Sequence, residues 1–174
     1  MELTVANLQN AKTYIPLGEK EDWVARNAPK CFDRLSVMDG DRPLPDMYQI
    51  NTGIKSRFLM AALVWKYLGY HLEGQEDSGD PDLMSEKEYD IWGAYHIMNE
   101  LERWKSDREV RSICFDILAD YHDLEKRFSA AINALLTVQN DPVVRKAQYD
   151  SEEFKKLPEI VEQMKKLQEG RGEK

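Results

Sequence analysis

Apolar residues recur in steps of four and three from Val110 to Val138: Val110, Cys114, Ile117, Tyr121, Leu124, Phe128, Ala131, Leu135 and Val138. A strand would repeat every second residue. This spacing averages about 3.5 and places the whole series on one stripe of a helix. It predicts a long helix over 107–139, roughly 50 Å at a rise of about 1.5 Å per residue. Such a helix must cover its stripe with other elements. Ile113, Leu118, Ile132 and Ala134 widen the stripe beyond a bare seam, so packing within one chain is expected, with a homo-oligomer as the alternative.

Other segments extend this picture. The run Phe58–Leu72 is apolar almost all round, broken by Lys66, which suits a central core helix and falls short of the ~20 residues needed to cross a bilayer. Short acceptors precede Glu or Gln by three residues at Asp46/Gln49, Ser85/Glu88, Ser106/Glu109 and Asp150/Glu153, the reciprocal arrangement that satisfies free amides at a helix start. With Pro16-Leu17-Gly18 as a breaker, the expected helices are 3–14, 19–35, 47–71, 86–105, 107–139 and 151–169. Asp39-Gly40-Asp41 with Pro43 and Pro45 marks a turn-rich connection with room for a tiny hairpin, and Asp141-Pro142 starts a short extra turn. The expected architecture is all-α: one domain over 1–174, a bundle of five to six helices with 107–139 at its centre, an acidic loop over 73–84 and a flexible tail over 170–174.

Charge is concentrated in one place. Between Glu73 and Asp90 eight acids face Lys87 alone, which accounts for −7 of the chain's net −8. That stretch repels phosphate backbones and attracts cations or basic partners. The basic residues Arg103, Lys105, Arg108 and Arg111 alternate with Asp107 and Glu109, a pattern of local ion pairs. Nucleic-acid binding is therefore not expected. Cys31 and Cys114 are too few for a disulfide framework or a four-ligand zinc site and read as buried thiols. The first residues lack the basic start and continuous apolar stretch of a signal peptide, so the expectation is a cytoplasmic protein with no membrane segment.

Motifs that would carry chemistry are sparse. The Gly-x-Gly at Gly170-Arg171-Gly172 has no strand before it or helix after it, His-Glu-x-x-His is absent, and no histidine has the Glu three residues upstream that a di-iron bundle requires. The string Leu118-Ala119-Asp120-Tyr121-His122-Asp123-Leu124 resembles the His-Asp motif of the HD superfamily of helical metal-dependent phosphohydrolases. That resemblance implies His96, His122 and Asp123, with Asp141, as ligands of a divalent transition metal that polarises a phosphate ester.

The main expectation is different. If the third and fourth helices pair, Tyr67 and Tyr70 approach Tyr89, Trp92 and Tyr95, beside Asp80, Asp82 and Glu86. Aromatic faces next to carboxylates suit the Lys and Arg side chains of a protein partner. The sequence thus points to a non-enzymatic interaction or assembly protein without a cofactor, meeting another protein through a basic segment of it. Small helical chains lacking recognisable chemistry are often accessory products of bacteria or phages.

Overall fold

The computed structural model describes residues 3–40, 42–70 and 79–152. It is mostly helical, at 66% helix, with a two-stranded antiparallel sheet, so the chain is not all-α. The helix expected over 151–169 lies, apart from residues 151 and 152, outside the described residues. So do the 170–174 tail and residues 73–78 of the acidic loop.

Two compact units are distinguished: residues 1–32 with 50–135, and residues 33–49 with 136–174. In the first, α1 (Val5–Gln9) is capped by Thr4, whose hydroxyl accepts from Asn7 N–H. It is shorter than the 3–14 span. Helix α2 (Leu17–Asn27) buries Lys20, Trp23, Val24 and Asn27, the i, i+3, i+4, i+7 face that turns inward. A 3-10 turn over Ala28–Lys30 then ends the helical run. Helix α3 (Thr52–Ala61) starts where the Asn51 side chain accepts from Ile54 N–H at 2.9 Å, and it continues as a π-helical turn over Ala62–Tyr67. Leu68 N–H there reaches back five residues to Leu63 C=O, and Gly69, at φ +69°, lets the chain leave. Phe58 to Val64 are all buried, as a central element requires.

Helices α4 (Glu86–Trp92) and α5 (Ala94–Trp104) replace the single helix expected over 86–105. The break is Gly93, at φ +47° and ψ +120°, a conformation that side chains disfavour. The capping box at Ser85 and Glu88 forms as read. Helix α6 (Arg111–Gln139) carries the long seam. Val110, Cys114, Ile117, Tyr121, Leu124 and Phe128 are buried, and the buried series then passes to Ile132. Ala131 and Leu135 are half-buried against the core, whereas Val138 is exposed. Trp23 of α2, Phe58 of α3 and Phe128 of α6 meet in one aromatic cluster, with ring centroids 4.8–6.4 Å apart.

The second unit holds the largest departure from expectation. Residues assigned to helices 19–35 and 47–71 form the ends of strands β1 (Phe32–Asp39) and β2 (Arg42–Ile50). Gly40 takes φ +59° at the turn. Asp46 does not cap a helix, because its carboxylate takes the guanidinium of Arg34 on the opposite strand. Pro45 donates nothing to a ladder, which suits a strand at an edge. The outer edge of β2 is occupied locally. The Asn140 side chain accepts from Tyr48 N–H and donates to Tyr48 C=O, both at 2.8 Å, while Arg145 donates to the carbonyls of Pro45 and Asp46. Asp141 is the true cap of the helical segment 142–152, accepting from Val143 N–H at 2.8 Å, with Pro142 in the first turn.

Candidate functional site

The aromatic residues near the acidic stretch turn inward. Tyr67, Tyr70 and Trp92 are buried, and Tyr89 packs half-buried against the core. Tyr70 and Trp92 do meet, with ring centroids 5.0 Å apart. Tyr67 instead lies edge-on to Tyr121 at 6.2 Å and donates its hydroxyl to Asp120 Oδ2 at 2.8 Å. The Tyr95 side chain lies outside what is described.

The carboxylates beside them are largely taken up by the chain's own cations. Asp82 is held by Arg26 at 2.7 Å and by the Asn27 amide at 3.2 Å, and Asp80 by Lys30 at 2.5 Å. Burial disfavours the charged form of Asp80, but the Lys30 hydrogen bond, the Asp82 N–H and the nearby Lys30 and Arg26 charges outweigh it and hold the carboxyl below its usual range. Glu86 remains 86% exposed, 3.8 Å from Arg57. The end of α2 and the 3-10 turn after it therefore fasten residues 80–82 in place, and the negative charges of Asp80 and Asp82 are matched within the chain.

A second charged cluster was not anticipated. Lys20 has a side chain only 3% exposed, and its ammonium donates to Asp120 Oδ1 at 2.6 Å and Asp123 Oδ2 at 3.0 Å. Asp120 also accepts from Ile15 N–H at 2.9 Å. Burial works against the Lys20 charge, yet the two carboxylates prevail and raise its pKa. Asp123 is held low by Arg127 first and by Lys20 second. A signal was available in the sequence: Lys20 shares a helical stripe with Trp23, Val24 and Asn27, so it had to find an anion inside.

This cluster bears directly on the metal reading. Asp123 is engaged by two cations, whereas His96 and His122 are exposed, and Asp141 caps a helix in the other unit. Among the described residues no three His, Cys, Asp or Glu side chains converge as a metal site. The carboxylate that the HD resemblance assigned to a metal thus serves a lysine and an arginine.

Further unassigned features remain in the first unit. A cavity of about 360 Å³ is lined by residues from α2, from the π turn and from the segments around Lys12 and Pro81. Trp23, one of its lining residues, has a buried indole N–H without a hydrogen-bond partner. Leaving such a donor unsatisfied costs about 1–3 kcal/mol. The indole N–H groups of Trp92 and Trp104 and the Tyr70 hydroxyl are likewise buried and unpartnered. Both cysteines are free and buried, and burial pushes the Cys31 thiol up to about 11 despite the opposing charges of Lys55 and Lys30. No described helix is long and apolar enough to cross a membrane.

No protein-family model, curated protein or solved structure matches the chain. Any functional reading therefore stands on the geometry.

Proposed function

We propose that this chain is a non-enzymatic protein-interaction module of the cytoplasm, a helical bundle serving as scaffold and the hairpin unit making the contact. One observation carries the reading. Among the described residues nine large apolar side chains are exposed, and five of them, Leu35, Met38, Met47, Val138 and Val143, belong to the hairpin unit, which contributes under a third of those residues. Exposed apolar side chains gathered in so small a unit are characteristic of contact surfaces. A two-stranded ribbon also leaves each strand with one edge outside the ladder. Since Asn140 and Arg145 occupy the outer edge of β2, an incoming strand of a partner would add to β1, with Leu35 and Met38 beside it. Free, buried cysteines fit a reducing compartment.

The test is site-specific photocrosslinking in cells. A photoreactive residue at Met38 should yield a discrete adduct that disappears when Leu35→Lys is added. The same residue at Phe115, which is 45% exposed in the other unit, should yield none. The mass of the adduct separates a second copy of this chain from another protein. Equal labelling from both positions, or an adduct indifferent to Leu35→Lys, would refute the assignment.

A further inference from the structure

In the hairpin unit Tyr48 N–H donates to the Asn140 side chain and Tyr48 C=O accepts from it, so both groups point away from β1. The Asp46 carbonyl, two residues earlier, points the same way and accepts from Arg145 at 2.8 Å. Alternation along an antiparallel ladder then turns the odd-numbered residues of β2 toward β1. Arg34 and Asp46 pair side chain to side chain and so share a face of the ribbon, which sets even residues opposite even and odd opposite odd. Asp33, Leu35 and Val37 accordingly turn their N–H and C=O groups toward β2, whereas those of Arg34, Ser36 and Met38 point outward. Arg34, Leu35, Ser36, Met38 and Asp39 are all exposed, as a strand with an open edge requires.

The two faces differ in chemistry. Arg34 takes Asp46 and Glu152, so the even face carries ion pairs made within the unit. The odd face carries Leu35 and Met47, each 41% exposed, together with the half-buried Val37. β1 thus presents a backbone edge and an apolar face side by side, and the order of its charges decides which strand can lie along it. A second β1, antiparallel to the first, must obey two-fold symmetry, which sets one residue opposite its own copy. With Ser36 on the axis, Asp33 meets Asp39 of the second copy at both ends. With Arg34 there, two guanidinium groups are opposed, and with Val37 there, Leu35 meets an aspartate. Like charges directly opposite destabilise a sheet, and the register centred on Leu35 opposes none.

We propose, on the reading that the hairpin unit is the contact surface, that its partner is a second copy of this chain, joined through β1 in the antiparallel register centred on Leu35. Arg34 lies opposite Ser36 of the second copy, and their outward N–H and C=O groups form the hydrogen-bonded pairs. Asp33 lies opposite Val37. Leu35 meets Leu35 in the non-hydrogen-bonded position, where the chains approach to about 4.5 Å between Cα atoms and side chains touch most closely. The product is a four-stranded sheet of order β2-β1-β1-β2. A ribbon of two strands is marginal by itself, and the wider sheet joins the two apolar faces. The assembly closes at two copies, because Asn140 and Arg145 occupy the outer edge of each β2, where a third would otherwise add.

Sedimentation equilibrium of the full chain should show monomers and dimers exchanging with a dissociation constant of about 1–100 μM, in keeping with a small interface. Leu35→Lys, which sets two ammonium groups together on the axis, should raise it by about tenfold or more. Ser36→Pro, which removes an N–H directed at the second copy and not at β2, should do the same. Both positions are exposed, and an unchanged circular dichroism spectrum verifies that the variants fold. Introduced cysteines read the register. Under mild oxidation Leu35→Cys should link to itself, and Asp33→Cys should link to Val37→Cys when the two are mixed. Val37→Cys alone, roughly 13 Å from its copy, should not link. Native Cys31 and Cys114 are buried and take no part. A chain that stays monomeric at about 1 mM, a dimer indifferent to both variants, or self-linking at Val37→Cys in preference to Leu35→Cys would overturn the proposal. The photocrosslink at Met38 then decides the hairpin reading separately: an adduct with another protein, lost with Leu35→Lys, keeps the contact surface and removes the second copy as its occupant, whereas no adduct removes both.

Discussion

Asp120→Ala is expected to destabilise the protein by about 4 kcal/mol. The Asp120 carboxylate takes three donors: Lys20 Nζ at 2.6 Å, the Tyr67 hydroxyl at 2.8 Å and Ile15 N–H at 2.9 Å. The Lys20 and Asp120 side chains are 3% and 12% exposed. Removing one partner of a buried pair costs about 3–5 kcal/mol, because the other charge stays behind without compensation. The Tyr67 and Ile15 donors each add about 1–3 kcal/mol if water cannot reach them. Two features offset part of this. Asp123 remains 3.0 Å from Lys20, and the groove lined by Thr13, Tyr14 and Asp116 beside the pair admits solvent.

Lys20→Met should be milder, about 1–2 kcal/mol, since Asp120 keeps the Tyr67 and Ile15 donors and the methionine fills the volume. Lys20→Met with Asp120→Asn should lie close to Lys20→Met alone, because the Asn oxygen still accepts from both. Urea unfolding followed by circular dichroism at neutral pH measures all three, read as midpoint shifts at constant slope. In a protein whose whole stability is about 5–15 kcal/mol, such a loss cannot be overlooked. A cost below about 1 kcal/mol for Asp120→Ala, or one equal to that of Lys20→Met, would refute the account of a buried lysine dependent on this carboxylate.

Other outcomes follow from the same geometry. Asp80 and Asp123 have lowered pKa values in the folded chain, so their stabilisation is complete above the unfolded carboxyl value of about 3.9 and is lost as pH falls through the folded values; melting temperature against pH should drop on that side, less steeply for Asp80→Asn. Lys20 has the opposite sign: its raised pKa gives stability that is complete below about 10.4 and disappears as pH rises through the folded value. Cys31 and Cys114 should resist a thiol reagent at pH 8 in the native protein and both react in urea, as burial raises both thiols, Cys31 to about 11. Gly93→Ala should cost about 1–2 kcal/mol through backbone strain alone, as no atom lies within 4 Å of the added methyl, whereas Gly18→Ala in α2 should stabilise by about 0.5–1 kcal/mol; equal effects would contradict the φ argument.

The long seam and the apolar run at 58–64 were legible because their periodicity is a local property of the chain, and burial confirms it through Phe128. Capping signals were less secure. The Ser85/Glu88 pair forms its box, but the same spacing at Asp46/Gln49 lies in a strand, and the Ser106 hydroxyl donates to Arg103 C=O at the end of α5. An acceptor and an acid three residues apart state only that a cap is available. Strand pairing is decided by residues distant in sequence, here Arg34 with Asp46 and Asn140 with Tyr48, which a periodicity search does not connect. Gly93 was visible as a letter, but its sign of φ was not.

The site was harder to read for a related reason: composition records charges, whereas a partner meets only those left unmatched. Asp80 and Asp82 belong to the most acidic stretch of the chain, yet Arg26 and Asn27 at the end of α2 and Lys30 in the turn after it consume them from some fifty residues away in sequence. Asp123 looked like a metal ligand beside His122, and Lys20 reaches it across about a hundred positions. Each pairing stabilises the fold by removing a feature that seemed available for recognition. What survives the subtraction among the described residues is small and specific: the exposed apolar side chains of the hairpin unit, Leu35, Met38, Met47, Val138 and Val143. A binding surface is defined by such residues, since a group already satisfied within the fold gains little by exchanging one partner for another.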